Sequence, residues 1–297
     1  MRALVTGAGG FVGTHLARRL VEDGWDVVGT VRPGSPSVPG LTVAPVDLAD
    51  RDQVTTMAAA ADVDVAFLLA ASRAQATAAA VNAMCVQWLL DALPGRCRTV
   101  VRLGSSTEYG ALDGPMDEDA PVRPRGFFGA TKAAGSLLLA AASLRGSNAV
   151  ARHTVILRAF QVYGPGDHPG RFVPRAVRSA RTGETLPLTG PGRRRDWVYV
   201  DDVVEACVRA ALAEHLDAGE VLNIGSGHQA ANEEVVATLE RVSGRPIAVA
   251  PGAHPGRAWD TGSWVCDPTR ARERLGWEAK VVLEEGLRRC WEAAAVP

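Results

Sequence analysis

The chain has 297 residues, 47% of them hydrophobic and 22% charged, enough for one large globular domain or two smaller ones and unlike a disordered chain. A formal net charge of −1 gives no reason to expect a nucleic-acid or acidic-membrane partner. Five scattered cysteines (Cys85, Cys97, Cys207, Cys266 and Cys290), never in Cys-x-x-Cys spacing, argue against a disulfide framework or a zinc site and suit a reducing cytoplasm.

Met1 to Thr6 reads as a short apolar strand, and Thr14 to Glu22 has helical periodicity. Between them lies Gly7-Ala8-Gly9-Gly10-Phe11-Val12-Gly13. Strand, glycine-rich turn and helix make the setting of a dinucleotide site. Gly7 permits a tight turn, Gly10 lets backbone approach a pyrophosphate, and Gly13 lets helix pack on strand. The helix N-terminus offers unpaired N–H groups to phosphate. The N-terminus has no charged-then-apolar leader pattern, and no apolar run approaches the length of a membrane span.

Trp25 to Arg32 is a second strand, closed by Pro33-Gly34. An acid at this strand end would bind a ribose 2′-hydroxyl; Thr30, Val31 and Arg32 stand there instead. An arginine can pair with a 2′-phosphate, which predicts NADPH as the preferred cofactor. Leu41 to Val46 is a third strand, Ala49 to Ala61 a helix, Val63 to Ala71 a fourth strand, Thr77 to Leu93 a long helix and Thr99 to Leu103 a fifth strand. This alternation predicts an α/β fold with a doubly wound parallel sheet.

Gly104-Ser105-Ser106-Thr107-Glu108-Tyr109-Gly110 follows the fifth strand, at the end where such sheets place ligands. Phe127-Phe128-Gly129-Ala130-Thr131-Lys132 opens the next helix, and Thr154 to Arg158 is the sixth strand. Beyond it come Ala159-Phe160-Gln161-Val162-Tyr163-Gly164-Pro165, Arg171-Phe172-Val173-Pro174 leading a basic helix, and Arg193-Arg194-Arg195-Asp196-Trp197-Val198-Tyr199-Val200-Asp201-Asp202. Asp201 and Asp202 read as the first turn of a helix rather than as a catalytic carboxylate pair. Val221 to Gly227 is a late strand and turn, and Asp267 to Trp277 a tail helix. Trp259, Trp264, Trp277 and Trp291 are expected to pack the C-terminal lobe, and the six histidines to lie at the surface.

Taken together, Thr-Gly-Ala-Gly-Gly-Phe-Val-Gly, Gly-Ser-Ser-x-Glu-Tyr-Gly, the Phe128-to-Lys132 segment and Arg-Asp-Trp-Val-Tyr-Val-Asp-Asp resemble the extended short-chain dehydrogenase/reductases, the epimerase/dehydratase family. The resemblance spans essentially the whole chain. It implies a Rossmann domain over 1–160 and a sugar-nucleotide-binding lobe over 161–297, with late segments returning to the sheet. It implies that Gly7, Gly10, Phe11, Val12, Gly13, Thr30, Arg32, Asp47, Leu48, Leu69, Ala70, Ala71, Asn82, Lys132 and Phe160 serve the cofactor. Asp47 would meet the adenine and Phe160 the nicotinamide. Ser105, Ser106, Thr107, Gln161, Arg171, Phe172, Val173, Arg195 and Arg257 would face the substrate, with Arg195 and Arg257 on its diphosphate.

Two departures matter. The 4,6-dehydratases of this family carry Asp-Glu where Ser106 and Thr107 stand, so dehydration lacks its proton carriers. The family's catalytic tyrosine is Phe128, which has no proton, although Ser105 and Lys132 are in place. Phe128 is therefore either natural or a tyrosine-to-phenylalanine variant that holds substrate unreacted. The serine-rich motif looks most like reductases of nucleotide-linked 4-keto-6-deoxy sugars, such as the GDP-4-keto-6-deoxymannose reductases. The expected activity is NADPH-dependent reduction of a nucleoside-diphosphate 4-keto-6-deoxyhexose. A 4-epimerase and an inactive nucleotide-sugar-binding protein are the rivals. The family also implies a homodimer; no metal site is expected.

Overall fold

The computed structural model describes residues 1–35, 38, 40–112, 114–144, 152–256 and 261–294. The N-terminal half alternates strand and helix: β1 (Arg2–Thr6), α1 (Phe11–Glu22), β2 (Asp26–Val31), β3 (Thr42–Pro45), α2 (Arg51–Ala60), β4 (Val65–Leu68), α3 (Gln75–Ala79), a π-helical turn (Ala80–Met84), α4 (Cys85–Ala92) and β5 (Thr99–Leu103). Then come β6 (Pro115–Met116), α5 (Phe127–Leu144), β7 (His153–Ala159), β8 (Gln161–Tyr163), α6 (Phe172–Thr182), β9 (Leu186–Pro187), β10 (Arg194–Tyr199) and α7 (Val200–Leu212). The chain finishes with β11 (Glu220–Ile224), β12 (Gln229–Ala231), α8 (Asn232–Ser243), β13 (Val249–Ala250), β14 (Val265–Cys266), α9 (Thr269–Leu275) and α10 (Leu283–Ala293).

Among the described residues, seven strands form one sheet in the order β3-β2-β1-β4-β5-β7-β11, every neighbouring pair parallel. Helices cover both faces, so strands such as Val65-Ala66-Phe67-Leu68 are buried along their whole length. The order reverses between β1 and β4. Ligands bind such sheets at the reversal, beyond the strands' C-terminal ends. β11 joins this sheet beside β7 although it comes late in the chain. A smaller sheet, β12-β10-β8, stands beyond it.

The fourth strand is shorter than the sequence suggests, because Leu69 to Ser72 leave the sheet as a loop. The expectation about membrane-length runs also changes. Helix α5 is 18 residues long and apolar enough to cross a bilayer by length and composition. It lies against the sheet, with Lys132 and Ser136 buried, as a core helix does.

Candidate active site

The glycine turn is locked from three sides. Gly7 has a φ of +73°, and its N–H donates to the Thr30 hydroxyl at 3.0 Å. A Cβ on Gly13 would stand 2.0 Å from the Gly7 carbonyl oxygen, and one on Gly7 3.0 Å from the Ala70 Cα. The Thr6 hydroxyl accepts the N–H groups of Leu69 and Ala70 at 3.1 and 3.3 Å. Thr30, 1% exposed, therefore shapes the turn from beneath, and the Leu69–Ala71 loop is pinned beside it. Gly10 is the N-cap of α1 and no side chain caps the helix, which leaves its first N–H groups for an anion. Phe11 and Val12 start that helix, half-buried. Arg32 lies exposed just beyond β2, and exposed Asp47 and half-buried Leu48 just beyond β3. A dinucleotide fits this cradle by backbone shape, since a side chain at Gly13 would displace the Gly7 peptide that forms it.

A second wall carries the chemistry. Ser105 caps a short 3₁₀ turn (Ser106–Glu108): its hydroxyl accepts the Thr107 N–H at 3.2 Å and pairs with the Thr107 hydroxyl at 2.8 Å. The turn is anchored by Glu108, fully buried, which accepts the Ser105 N–H at 2.9 Å, the Ser136 hydroxyl at 3.1 Å and the Arg158 guanidinium at 3.0 Å. Facing it is the first turn of α5. Gly129 makes the approach possible, because a Cβ there would stand 2.4 Å from the Thr107 carbonyl oxygen.

Phe128 and Lys132 are one turn apart on α5. Lys132 is 2% exposed and its ammonium donates to the Leu103 carbonyl. Burial pushes its pKa down to about 7, helped by the neighbouring Arg102 charge. Asn82 sits in the π-helical turn, a feature frequent at functional sites. It accepts the Ser72 N–H at 2.8 Å and donates to the Ser72 carbonyl and the Thr131 hydroxyl, at 2.8 and 2.9 Å. It thus ties the loop after β4 to α5.

Phe128, Thr107, Arg73, Arg125 and Trp264 line a cavity of about 250 Å³. The short pairing of β14 with β6 brings Trp264 there, and its indole N–H donates to the Ser106 hydroxyl at 2.9 Å. Trp264 packs, as the sequence predicts, in a cluster with Tyr109, Met116, Phe160 and Cys266, and it also serves the site wall. Trp277 and Trp291 do pack in the C-terminal region, Trp277 donating to the Asp202 carbonyl at 2.9 Å.

The remaining residues spread around this centre. Phe160 is buried beneath the cavity with Tyr109, Met116, Trp264 and Cys266. Gln161 begins β8, half-buried, opposite Trp197 of β10. Arg195 reaches the rim: its guanidinium stands 5.8 Å from the Trp264 ring and donates to the Thr261 carbonyl at 3.1 Å. Arg171 pairs with Asp167 at 3.3 Å, Phe172 packs against Trp197 at 5.6 Å, and Val173 is buried in the main core. Arg257 and Trp259 lie outside the described residues. Asp201 and Asp202 occupy the first turn of α7, where Asp202 accepts the Lys280 and Val281 N–H groups.

Not all histidines are surface residues. His15 is half-buried and bridges the Pro165 carbonyl at 2.8 Å and Asp201 at 3.3 Å, joining α1 to the turn after β8 and to α7, and His153 is half-buried at the start of β7. The sequence alone does not mark Glu108, Arg102 or Trp264 as members of the site. For the first two the visible sign is charge inside or beside an apolar strand.

The sequence profile of the NAD dependent epimerase/dehydratase family matches residues 3–225. A UDP-glucose 4-epimerase of Mycolicibacterium smegmatis is 33% identical over 310 residues, covering 97% of this chain and 96% of its own. A dTDP-glucose 4,6-dehydratase of Streptomyces griseus is 30% identical over 320 residues, covering 96% and 91%. Among solved structures, MoeE5 in complex with UDP-glucuronic acid and NAD superposes with a TM-score of 0.89 at 32% identity, covering 99% of both chains. A glycine cradle at the sheet's reversal, a buried lysine and a serine turn facing it agree with these likenesses: the chain belongs to the NAD dependent epimerase/dehydratase family, whose members here are nucleotide-sugar-modifying enzymes.

Proposed function

We propose that the chain binds a nicotinamide dinucleotide and a nucleoside-diphosphate sugar, and that its site is built for oxidoreduction at C4 of the sugar. The observation that carries this is the convergence of the Ser105 turn with the Phe128–Lys132 face of α5, held together by Glu108 and Gly129. When bound, the nicotinamide supplies a hydride acceptor or donor. Lys132 holds the cofactor ribose, and Ser105 polarises the C4 oxygen through its hydroxyl. Arg195 at the rim offers a guanidinium fork to the diphosphate. Dehydration is disfavoured. Ser106 and Thr107 have no carboxyl group to move a proton, and their hydroxyls are engaged by Trp264 and Ser105.

Epimerisation, which oxidises and re-reduces one carbon, is the form the relatives support best. The UDP-glucose 4-epimerase matches almost end to end. A second form, NADPH-dependent reduction of a 4-keto-6-deoxy sugar nucleotide, is favoured by Arg32, exposed at the end of β2 where an NAD-binding acid would stand. Incubating the protein with NAD and UDP-glucose and assaying UDP-galactose tests the first. Following NADPH consumption with a 4-keto-6-deoxy sugar nucleotide tests the second. Absence of both, with cofactor and nucleotide sugar still bound, would leave a binding protein.

A further inference from the structure

A second cavity, of about 330 Å³, lies between α6, the end of α10 and the turn that follows β8, and it shares no lining residue with the one beside Phe128. Its floor is apolar: Val173 and Val177 of α6 and Cys290 of α10 are buried there, with Ala293 at the edge. Burial raises the Cys290 thiol to about 12, and the Asp167 charge adds to this, so Cys290 meets the cavity as a neutral, apolar group.

The charges around it are uneven. Asp167 is the one carboxylate among the described lining residues. Its side chain, 3% exposed, is engaged by Arg171 at 3.3 Å and by the His168 N–H at 2.8 Å. Arg178 pairs with Glu184 at 3.6 Å, and both are exposed. Arg181 is held differently. Its Nη2 donates to the Trp291 carbonyl at 2.7 Å, and its guanidinium carbon stands 4.1 Å from the centre of the Trp291 ring. A neutral acceptor and an aromatic face fix this fork without neutralising it, so one unit of positive charge stands over an apolar floor. A cavity at the small end of ligand-site volumes, with apolar walls and one fixed cation, matches an anion with a short apolar body.

The turn that walls the cavity, Gly164 to Asp167, is also fastened to the cofactor cradle. The Pro165 carbonyl meets a His15 ring nitrogen of α1 at 2.8 Å. A Cβ on Gly164 would stand 2.5 Å from Val200 and 3.5 Å from the Phe11 ring. Phe11 opens α1, whose uncapped N-terminus is the anion-binding end of the cradle. We propose that this cavity is a second ligand site, taking a medium-chain alkyl carboxylate with Arg181 as its anchor, and that its occupancy changes dinucleotide affinity through the shared turn. The link to the cofactor rests on the dinucleotide reading above; the site itself does not.

The test is calorimetric titration of the full chain with octanoate, 1-octanol and octylammonium, with and without saturating NAD. Octanoate is expected to bind roughly tenfold more tightly than octanol, the lower end of a charge-assisted bond at a rim open to water, and octylammonium more weakly than either. Arg181→Gln should bring octanoate down to the level of octanol and leave octanol unchanged, while Arg181→Lys should keep part of the margin. Ala293→Trp, at an exposed position on the edge of the cavity, should block octanoate and octanol alike. NAD should change octanoate affinity by the same factor by which octanoate changes NAD affinity, as linkage requires. Failure of octanoate to bind, equal affinity for the three probes, or binding that survives both Arg181→Gln and Ala293→Trp overturns the site. Octanoate binding unaltered by NAD, in a chain that binds NAD, overturns the link. A chain that binds octanoate but no NAD refutes the dinucleotide reading and takes the link with it, while the site stands.

Discussion

Arg102 on β5 donates from Nη2 to the main-chain carbonyl of Lys132 on α5 at 3.1 Å, so one buried cation holds the backbone of another. The same nitrogen donates to the Asn82 carbonyl at 2.7 Å in the π-helical turn. Gly135 makes room for this, since a Cβ there would stand 2.1 Å from the Asn82 oxygen. One guanidinium therefore sets the spacing of strand, π turn and catalytic helix. It also leaves Lys132 beside a fixed positive charge with little water.

The first expected outcome is a stability that rises with pH through Lys132. Its pKa moves from the ordinary 10.5 in the unfolded chain to about 7 in the folded one. Below the folded value both states are protonated, and the full penalty of a buried ammonium is present. Between the two values the unfolded chain still holds the proton that the folded chain has released, so unfolding becomes harder as pH rises. Urea unfolding of cofactor-free wild type and Lys132→Met should show the difference moving in favour of wild type across that window. A flat difference would mean that Lys132 is not a buried, depressed lysine.

Gly13 should be intolerant of any side chain. The Cβ of Gly13→Ala would meet both the oxygen and the carbon of the Gly7 peptide, at 2.0 and 2.8 Å, and neither is the end of a flexible group. Overpacking of this kind costs about 1–3 kcal/mol. NAD affinity should fall with it, because the shifted atoms form the phosphate cradle. Gly190→Ala is the control, having open space around its Cβ and no left-handed backbone. Thermal unfolding and cofactor titration of both variants decide the point; equal behaviour would contradict the packing.

Cofactor choice should turn on Arg32. A charge-assisted bond to a 2′-phosphate is worth about 1.5–3 kcal/mol. Wild type should accordingly favour NADPH over NADH, and Arg32→Ala should lose the preference without losing NADH. Arg32 is exposed, so the margin should shrink as salt is raised. The NAD in the MoeE5 complex makes the measurement decisive, since equal affinities in wild type would align this chain with that relative.

How much of the site is legible in the sequence depends on range. Gly7, Gly10 and Gly13 can be placed because strand, turn and helix are contiguous, and the spacing of Phe128 and Lys132 is one helical turn whatever packs around it. The return of β11 to the sheet is expected from family pattern alone. The tie from Glu108 to Arg158 and Ser136 is not legible, because it joins segments 50 and 28 residues apart. Trp264 shows the same limit. It reaches Ser106 across 158 residues through a two-residue strand pairing that carries almost no local pattern. The length of β4 is overestimated for a different reason: Leu69 and Ala70 are apolar like the strand before them, but their N–H groups go to the Thr6 side chain.

Phe128 decides the rate. Hydride transfer at C4 needs a group that takes or gives the oxygen-bound proton, and a phenyl ring has none. The tyrosines of the chain are committed elsewhere. The Tyr109 hydroxyl donates to Asn223 at 2.7 Å, that of Tyr163 reaches the Leu283 carbonyl at 3.4 Å, and Tyr199 is 2% exposed with Arg289 against its ring. Ser105 already accepts the Thr107 N–H and pairs with the Thr107 hydroxyl. A hydroxyl restored on the Phe128 ring would instead lie near the Arg73 guanidinium over the ring face. That charge favours the phenolate, the form a general base requires, and Lys132 one turn along the helix adds to it only while protonated, below about pH 7. General acid–base catalysis typically contributes about 10²–10⁴-fold, so Phe128→Tyr should raise turnover by that order while cofactor and substrate affinities change little. Single-turnover measurement of the nicotinamide redox change in both proteins, with UDP-glucose and with a 4-keto-6-deoxy sugar nucleotide, reads this directly. A large gain would show a site intact in everything but its proton carrier, as a tyrosine-to-phenylalanine variant would be. No gain with either substrate would mean that the proton travels by another route or that hydride transfer at C4 is not the chemistry of this site.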